Sequence, residues 1–253
     1  MLETLGIVQL PTTHTPHSNT KYPFRRLGGR SVLERIVRRA TEAQRLDGVI
    51  AVSGVGSAAN EIASAIPADI PLYQAQAPDA LARAVEAIEQ YPCRAVVFLS
   101  IDTPFVDPAL IDQLVITAQA HSECDYVGYR QADGRPSVMS EVGVFAEWCT
   151  ARAVKEAHRK AKDASERMSA TQFIYSHPER FQLRFMSAPQ ELDRDDLRLR
   201  VTCEEDWEHA DMIAEAIGED AMDWQCVARL LENQPGMREQ MARLNKMTET
   251  IDG

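Results

Sequence analysis

Ala95-Val96-Val97-Phe98-Leu99-Ser100-Ile101-Asp102-Thr103-Pro104 is the stretch that decides how this chain folds. Every position from Ala95 to Leu99 is apolar, which leaves no face of the segment for water and predicts a parallel strand covered on both sides. Ser100 to Pro104 ends the strand. Asp107-Pro108 then opens a helix that carries Leu110, Ile111, Leu114, Val115 and Ala118 on one face. Outward from this unit, Gly6-Ile7-Val8-Gln9-Leu10 reads as a first strand and Val49-Ile50-Ala51-Val52 as a second. The helical period of Val32, Leu33, Ile36, Val37 and Ala40 lies between them, and Asp79 stands as N-cap of a helix bearing Leu81, Val85 and Ile88. Alternating strands and helices of this kind predict βαβ units and a mostly parallel sheet flanked by helices.

The remainder is less regular. Residues 125–185 mix strand-like pieces, Tyr126-Val127-Gly128-Tyr129 and Val142–Phe145, with a charged helix from Glu147 to Lys162. Helices follow at Glu204–Ile217 and Trp224–Glu232, with Thr202 and Glu205 spaced as a capping box and Trp207, Ala210, Ile213 and Ile217 as a buried stripe. The expected organisation is one α/β domain over 1–234 and a polar tail, 235–253, that frays.

A chain of 253 residues, 45% hydrophobic, needs neither disulfides nor a structural metal to bury a core. Its five cysteines are dispersed, with no C-x-x-C pair, so reduced thiols are expected and no zinc site. A net charge of −11 repels phosphate backbones, which argues against a nucleic-acid partner. No apolar run approaches the length of a membrane span, and the first residues lack the cationic and apolar regions of a secretory signal. A cytoplasmic location is expected.

In an open α/β sheet, ligands bind beyond the carboxyl ends of the strands. Asp102 emerges there, and its carboxylate reads either as a Mg²⁺ ligand or as a turn residue bonding nearby amides. The segment Pro11–Arg26 is the other candidate, carrying Lys21, Arg25 and Arg26 with Arg30 just beyond. This cluster suits phosphate, or is a solvated basic loop. The loop has no glycine, and Pro11, Pro16 and Pro23 give no N–H, so side chains would have to bind the phosphates. His14 and His17 in the same loop read as surface histidines. There is no Gly-x-Ser-x-Gly elbow, Walker loop or Gly-x-Gly-x-x-Gly fingerprint.

Several pieces, in order, carry a resemblance. They are Gly6-Ile7-Val8-Gln9, Arg26-Leu27-Gly28-Gly29-Arg30-Ser31-Val32-Leu33-Glu34, Asp79-Ala80-Leu81-Ala82-Arg83 and Asp102-Thr103-Pro104-Phe105-Val106-Asp107-Pro108. Beyond these lie Asp125-Tyr126-Val127, Ser176-His177-Pro178-Glu179-Arg180-Phe181, and Leu197–Val201 leading into Glu205-Asp206-Trp207-Glu208. Together they resemble the nucleotide-diphospho-sugar transferase superfamily, and within it the cytidylyltransferases that include CMP-Kdo synthetase and spore-coat polysaccharide proteins. The resemblance implies a Rossmann-like, GT-A-type mixed sheet with a small inserted dimerisation region at 125–185. It also implies Mg²⁺-dependent CMP transfer from CTP to an acidic sugar or related acceptor, with release of pyrophosphate, by a homodimer. Carried over by position, Asp102 is the metal ligand, and Lys21 or one of Arg25 and Arg26 stands at the family's phosphate-binding lysine; Lys21 is the expected catalytic residue, and Arg25, Arg26, Asp79 and Ser100 are the expected substrate-binding ones.

The chain departs from that pattern. The family's Arg-x-Gly-Ser-x-Arg-Leu-Pro-x-Lys loop is replaced by Pro11–Lys21, its base-side arginine falls at Phe98, and its Glu-His pair falls at Met168-Ser169. Its second metal aspartate falls at Thr202, leaving Glu205 or Asp206 to supply a carboxylate from a shifted register. Alternatives are a catalytically silent relative that serves as a nucleotide-sugar-binding or scaffold subunit, or a transferase using the same crevice for another donor.

Overall fold

The Ala95–Leu99 run becomes the middle of a strand, Cys93–Ser100, in a computed structural model that describes residues 1–10, 22–55, 59–218 and 222–252. Lys21 and the rest of the 11–21 loop, His14 and His17 included, lie outside the described residues. The chain begins with β1 (Leu2–Gln9), a short hairpin of β2 (Arg26–Leu27) and β3 (Arg30–Ser31), α1 (Val32–Glu42) and β4 (Gly48–Gly54). Next come α2 (Ala59–Ala65), β5 (Leu72–Ala75), α3 (Ala80–Gln90), β6 (Cys93–Ser100), α4 (Pro108–Ala120) and β7 (Tyr126–Arg130). The second half holds β8 (Glu147–Thr150), α5 (Ala151–Lys160), α6 (Ala164–Arg167), α7 (Gln172–Tyr175) and β9 (Leu183–Ser187). Three helices follow: α8 (Glu204–Ile217), α9 (Trp224–Glu232) and α10 (Pro235–Asp252).

The main sheet has seven strands in the order β5-β4-β1-β6-β8-β7-β9. Its pairs are parallel except those made by β8, which runs antiparallel to both β6 and β7. Because side chains on a strand alternate between faces, β6 feeds two cores. Val97 and Leu99 join Val8, Val49 and Ala51 against α1, α4, α8, α9 and α10. Val96 and Phe98 join Leu5, Ile7, Ile50 and Val52 against α3, α5 and α7. Each such fully buried side chain stabilises the fold by about 1.5–3 kcal/mol relative to exposure.

Local chemistry sets the element ends. Ser31 and Asp79 each cap a helix by accepting from the backbone N–H three residues on, Glu34 and Ala82. The buried carboxylate of Asp107 accepts from Ala109 and Leu110 to start α4, and from Trp224 N–H at the start of α9. At the β2–β3 turn Gly28 and Gly29 both have positive φ, 58° and 89°, the two-residue turn whose twist matches that of its strands. The five cysteines are unpaired.

Three features differ from the expectations. Val142–Phe145 is buried but forms no strand; the strand is β8, which begins at Glu147, and the charged helix starts only at Ala151. The α8 capping box uses Cys203 and Asp206 rather than Thr202 and Glu205. The 235–253 segment, expected to fray, is helical over Pro235–Asp252. It is anchored by the fully buried Met241, by Arg238 on Asp196, and by the Asn245 amide on the carbonyls of Asp195 and Leu197. Residues 125–185 contribute β7 and β8 to the same sheet as β1 and β6. Among the described residues no helix is long and apolar enough to cross a membrane.

Candidate functional site

Strand order reverses at β1: β4 lies on one side of it and β6 on the other. The carboxyl ends of β1 and β6 therefore open onto the crevice where α/β sheets bind ligands. A cleft of about 640 Å³ occupies that place. Gln9 and Leu10 line it from β1, Phe98 to Thr103 from β6 and its turn, Asp79 and Arg83 from α3, and Glu147 from β8.

Asp102 does not stand free in this cleft. Its Oδ2 accepts two hydrogen bonds from Arg200, from Nε at 3.0 Å and Nη2 at 2.5 Å. Oδ1 is buried and makes no hydrogen bond among the described residues. The carboxylate holds Arg200 firmly in its charged form, raising its pKa against the opposing effect of burial. Arg200 reaches this position because its segment is stitched on both sides. Val201 N–H donates to the Asp102 carbonyl, and Leu199 N–H to the carbonyl of Glu141. Leu197, Leu199 and Val201 are buried in the core, which turns Arg198 and Arg200 to the other face. Gly143, with φ of +66°, lets the chain pass: a Cβ there would sit 2.6 Å from the Arg200 backbone nitrogen.

Arg83 is the opposite case. Its residue is 3% exposed, its Nε has no hydrogen-bond partner, and Nη1 lies 3.5 Å from the Pro78 carbonyl, at the outer limit of a hydrogen bond. Loss of water lowers its pKa, with Asp79 and Glu86 acting in the other direction. A buried guanidinium lining a cleft with unused donors is a site for an anion. Arg167, which also lines the cleft, is committed: it donates to Asp79 Oδ2, to the His158 and Ala161 carbonyls and to the His158 ring.

Glu147 is the cleft's deep carboxyl group. Burial pushes it up to about 7, against the opposing hydrogen bonds from Tyr126 Oη (2.7 Å) and Thr171 Oγ1 (2.8 Å). Gly128 leaves room for the Tyr126 ring; a Cβ there would meet its hydroxyl at 2.7 Å. Burial therefore keeps Glu147 protonated well above the usual carboxylate range.

Of the residues chosen from sequence, Asp79, Ser100 and Asp102 line the cleft together. Asp79 is occupied twice, by the Ala82 N–H and by Arg167, and Ser100 is exposed, its carbonyl accepting from Thr103 Oγ1. Arg25 and Arg26 do not line it. Arg25 lies 3.5 Å above the Trp207 ring and pairs with Glu204 at 2.6 Å, while Arg26 donates to the Gly29 carbonyl in its own hairpin. Asp206, considered as a second metal carboxylate, is buried against Arg198 at 2.5 Å and also accepts from the Thr202 N–H. Glu205 is exposed on α8 and lies outside the cleft lining. Sequence reasoning passed over Arg83, Glu147 and Arg200. The signal for Arg83 was an arginine within the apolar face of α3, and for Arg200 the strict alternation of Leu197, Leu199 and Val201 with Arg198 and Arg200.

A family model described as the MobA-like NTP transferase domain matches residues 21–179, more than half of the chain. The chain belongs to that family. Among curated relatives, an uncharacterized protein of Methanocaldococcus jannaschii is 24% identical over 79% of this chain and 78% of its own. The spore coat polysaccharide biosynthesis protein SpsF of Bacillus subtilis is 26% identical over 55% of each. Among solved structures, a cytidylyltransferase from Leptospira borgpetersenii superposes with a TM-score of 0.79 at 15% identity, covering 93% of this chain and 95% of that one. A CMP-2-keto-3-deoxy-manno-octonic acid synthetase complexed with CTP gives 0.60 at 8% identity, over 85% and 98%. These structural likenesses show the fold, a mixed α/β sheet flanked by helices that the chain shares with solved cytidylyltransferases.

One further neighbour, Rv0371c of Mycobacterium tuberculosis (TM-score 0.57, 16% identity, over 83% and 98%), was solved with manganese. In the MobA-like chain described here the candidate ligands stand apart. Among its described residues no three His, Cys, Asp or Glu side chains gather to hold a metal. The position of the second carboxylate is Thr202, and the first carboxylate, Asp102, faces a guanidinium instead of open coordination space. These residues do not fit a protein-held Mg²⁺.

Proposed function

We propose that the cleft binds CTP together with an acidic, sugar-like acceptor, and that the protein transfers CMP to the acceptor with release of pyrophosphate. The observation that carries this reading is Arg83: a buried, under-bonded cation at the mouth of the sheet in an NTP transferase fold. An acceptor hydroxyl oxygen would bond to the α-phosphorus as the bond from that phosphorus to the pyrophosphate oxygen breaks. Arg83 supplies a fixed positive charge for an anionic group of donor or acceptor, and a charge already in place costs no reorganisation during reaction. Glu147 takes up the hydroxyl proton, for which a pKa near 7 is suited. Lys21 joins this reading as a phosphate ligand from the 11–21 loop, and a homodimer through 125–185 as its assembly. Mg²⁺ does not enter the steps, because the side chains around Asp102 do not fit it.

A second reading, a silent relative that binds nucleotide sugar without turnover, is favoured by the Asp102–Arg200 pair standing where such an enzyme would need an open carboxylate. Acceptor-dependent pyrophosphate release from CTP separates the two. Release that is lost in Arg83→Ala supports transfer; CTP binding without release across a panel of 2-keto sugar acids leaves the silent reading.

A further inference from the structure

We infer that Arg200 takes the place of a divalent cation in this site, so that the cleft accepts phosphate groups without a metal. The inference rests on the nucleotide reading above and deepens it. A metal at this point would neutralise Asp102 and leave positive charge facing the phosphates. The Arg200 guanidinium does the first, cancelling the Asp102 charge that would repel phosphates, and in place of surplus charge it offers a remaining N–H donor. Its Nε and Nη2 bond the same carboxylate oxygen, Oδ2, and its Nη1 makes no hydrogen bond among the described residues. Arg200 lines the cleft beside Asp102 and Thr202. The guanidinium is also permanently charged, and its planar fork suits phosphate oxygens.

The groups around the pair agree with this role. Glu141 is the next carboxylate to Arg200, and it is held by Arg198 at 3.2 Å, itself bound to Asp206. Arg83 is thus the arginine of the cleft with no ion pair among the described residues, and Arg200 adds an unused donor beside its pair with Asp102, whereas Arg198 and Arg167 are spent on structure. Gly143 and the Glu141 carbonyl fix the Arg200 backbone, so the charge is positioned by the core and needs no ligand to order it.

The test is calorimetric titration of inorganic tripolyphosphate and of CTP into the full-length protein, once in excess EDTA and once in millimolar MgCl₂. Both probes are expected to bind in EDTA at least as tightly as in MgCl₂, because Mg²⁺ removes charge from the ligand that Arg200 would otherwise meet. Arg200→Ala is expected to weaken tripolyphosphate by about tenfold or more, the effect of losing one charge-assisted bond. Asp102→Asn gives a readout of opposite sign for the two accounts and keeps Arg200 intact. Without a metal role for Asp102 its neutralisation strengthens tripolyphosphate binding; with such a role it abolishes binding. Mn²⁺ alone, followed by electron paramagnetic resonance, is expected to stay free in solution with the wild-type protein. Binding that appears only with Mg²⁺ or Mn²⁺ and is lost in Asp102→Asn overturns the inference, and so does failure of tripolyphosphate to bind under any condition. Tripolyphosphate that binds in EDTA where CTP does not would leave Arg200 in this role and refute the nucleotide reading instead.

Discussion

Glu147→Gln should change how stability depends on pH, in a direction set by the burial of that carboxyl. The folded protein titrates Glu147 at about 7, against an ordinary value of 4.5. Between those values the native state keeps a proton that the unfolded chain has released, so raising the pH favours unfolding. The loss starts near 4.5 and is complete above about 7. A gap of about two and a half pH units, at about 1.4 kcal/mol each, makes the full effect about 3 kcal/mol. Glutamine keeps a carbonyl for the Tyr126 hydroxyl but does not titrate. Urea unfolding of both proteins at several pH values between about 4 and 8 gives the comparison, because groups elsewhere cancel in the difference. Glu147→Gln should gain on the wild type by about 3 kcal/mol across that range. Curves that run parallel would mean that Glu147 is already ionised in the folded cleft, and the argument for it as a proton acceptor near neutrality would fail.

Other substitutions probe the frame that holds the site. Gly143→Ala forces a Cβ to 2.6 Å from the Arg200 nitrogen at a φ of +66°, and should lower stability by roughly 1–3 kcal/mol while weakening tripolyphosphate binding; the melting temperature and a titration report both. Asp206→Ala strips the carboxylate from Arg198, a side chain only 5% exposed, and should cost about 3–5 kcal/mol in denaturant unfolding, as breaking a buried pair does.

The parts of the fold that were legible in the sequence are those where one local signal and the tertiary outcome agree. The Ala95–Leu99 run is apolar on both faces because it lies between two cores, and Asp79 and Asp107 cap helices because their short carboxylates reach N–H groups two or three residues on. Helices α8 and α9 begin and end where their apolar periods place them, although in α8 Trp207 and Ile217 are only partly buried beside the buried Ala210 and Ile213. The misreadings fall where tertiary pairing overrides local preference. Glu147 looks like the first turn of a charged helix, yet it opens a strand because Phe98 of β6 pairs with it, and its carboxylate is satisfied by residues 21 positions before and 24 after. Helix α10 reads as a solvated tail because its anchors are mostly polar and their partners lie in Asp195–Leu197, which no periodicity reveals.

The site was half visible for a similar reason. The rule that ligands gather beyond strand ends located Asp102 and Ser100, since it depends only on strand order. Which cations face them depends on long-range packing: Arg200 is 98 positions from Asp102, while the nearer Arg25 is drawn to Trp207 and Glu204 instead.

The most direct measurement of the central claim is a crystal structure of the protein soaked with CTP in the absence of divalent metal. The account predicts nucleotide density in the cleft between β1 and β6, with phosphate oxygens on Arg200 and an anionic group of donor or added acceptor on Arg83. An empty cleft at saturating CTP, or nucleotide bound elsewhere on the molecule, would contradict it.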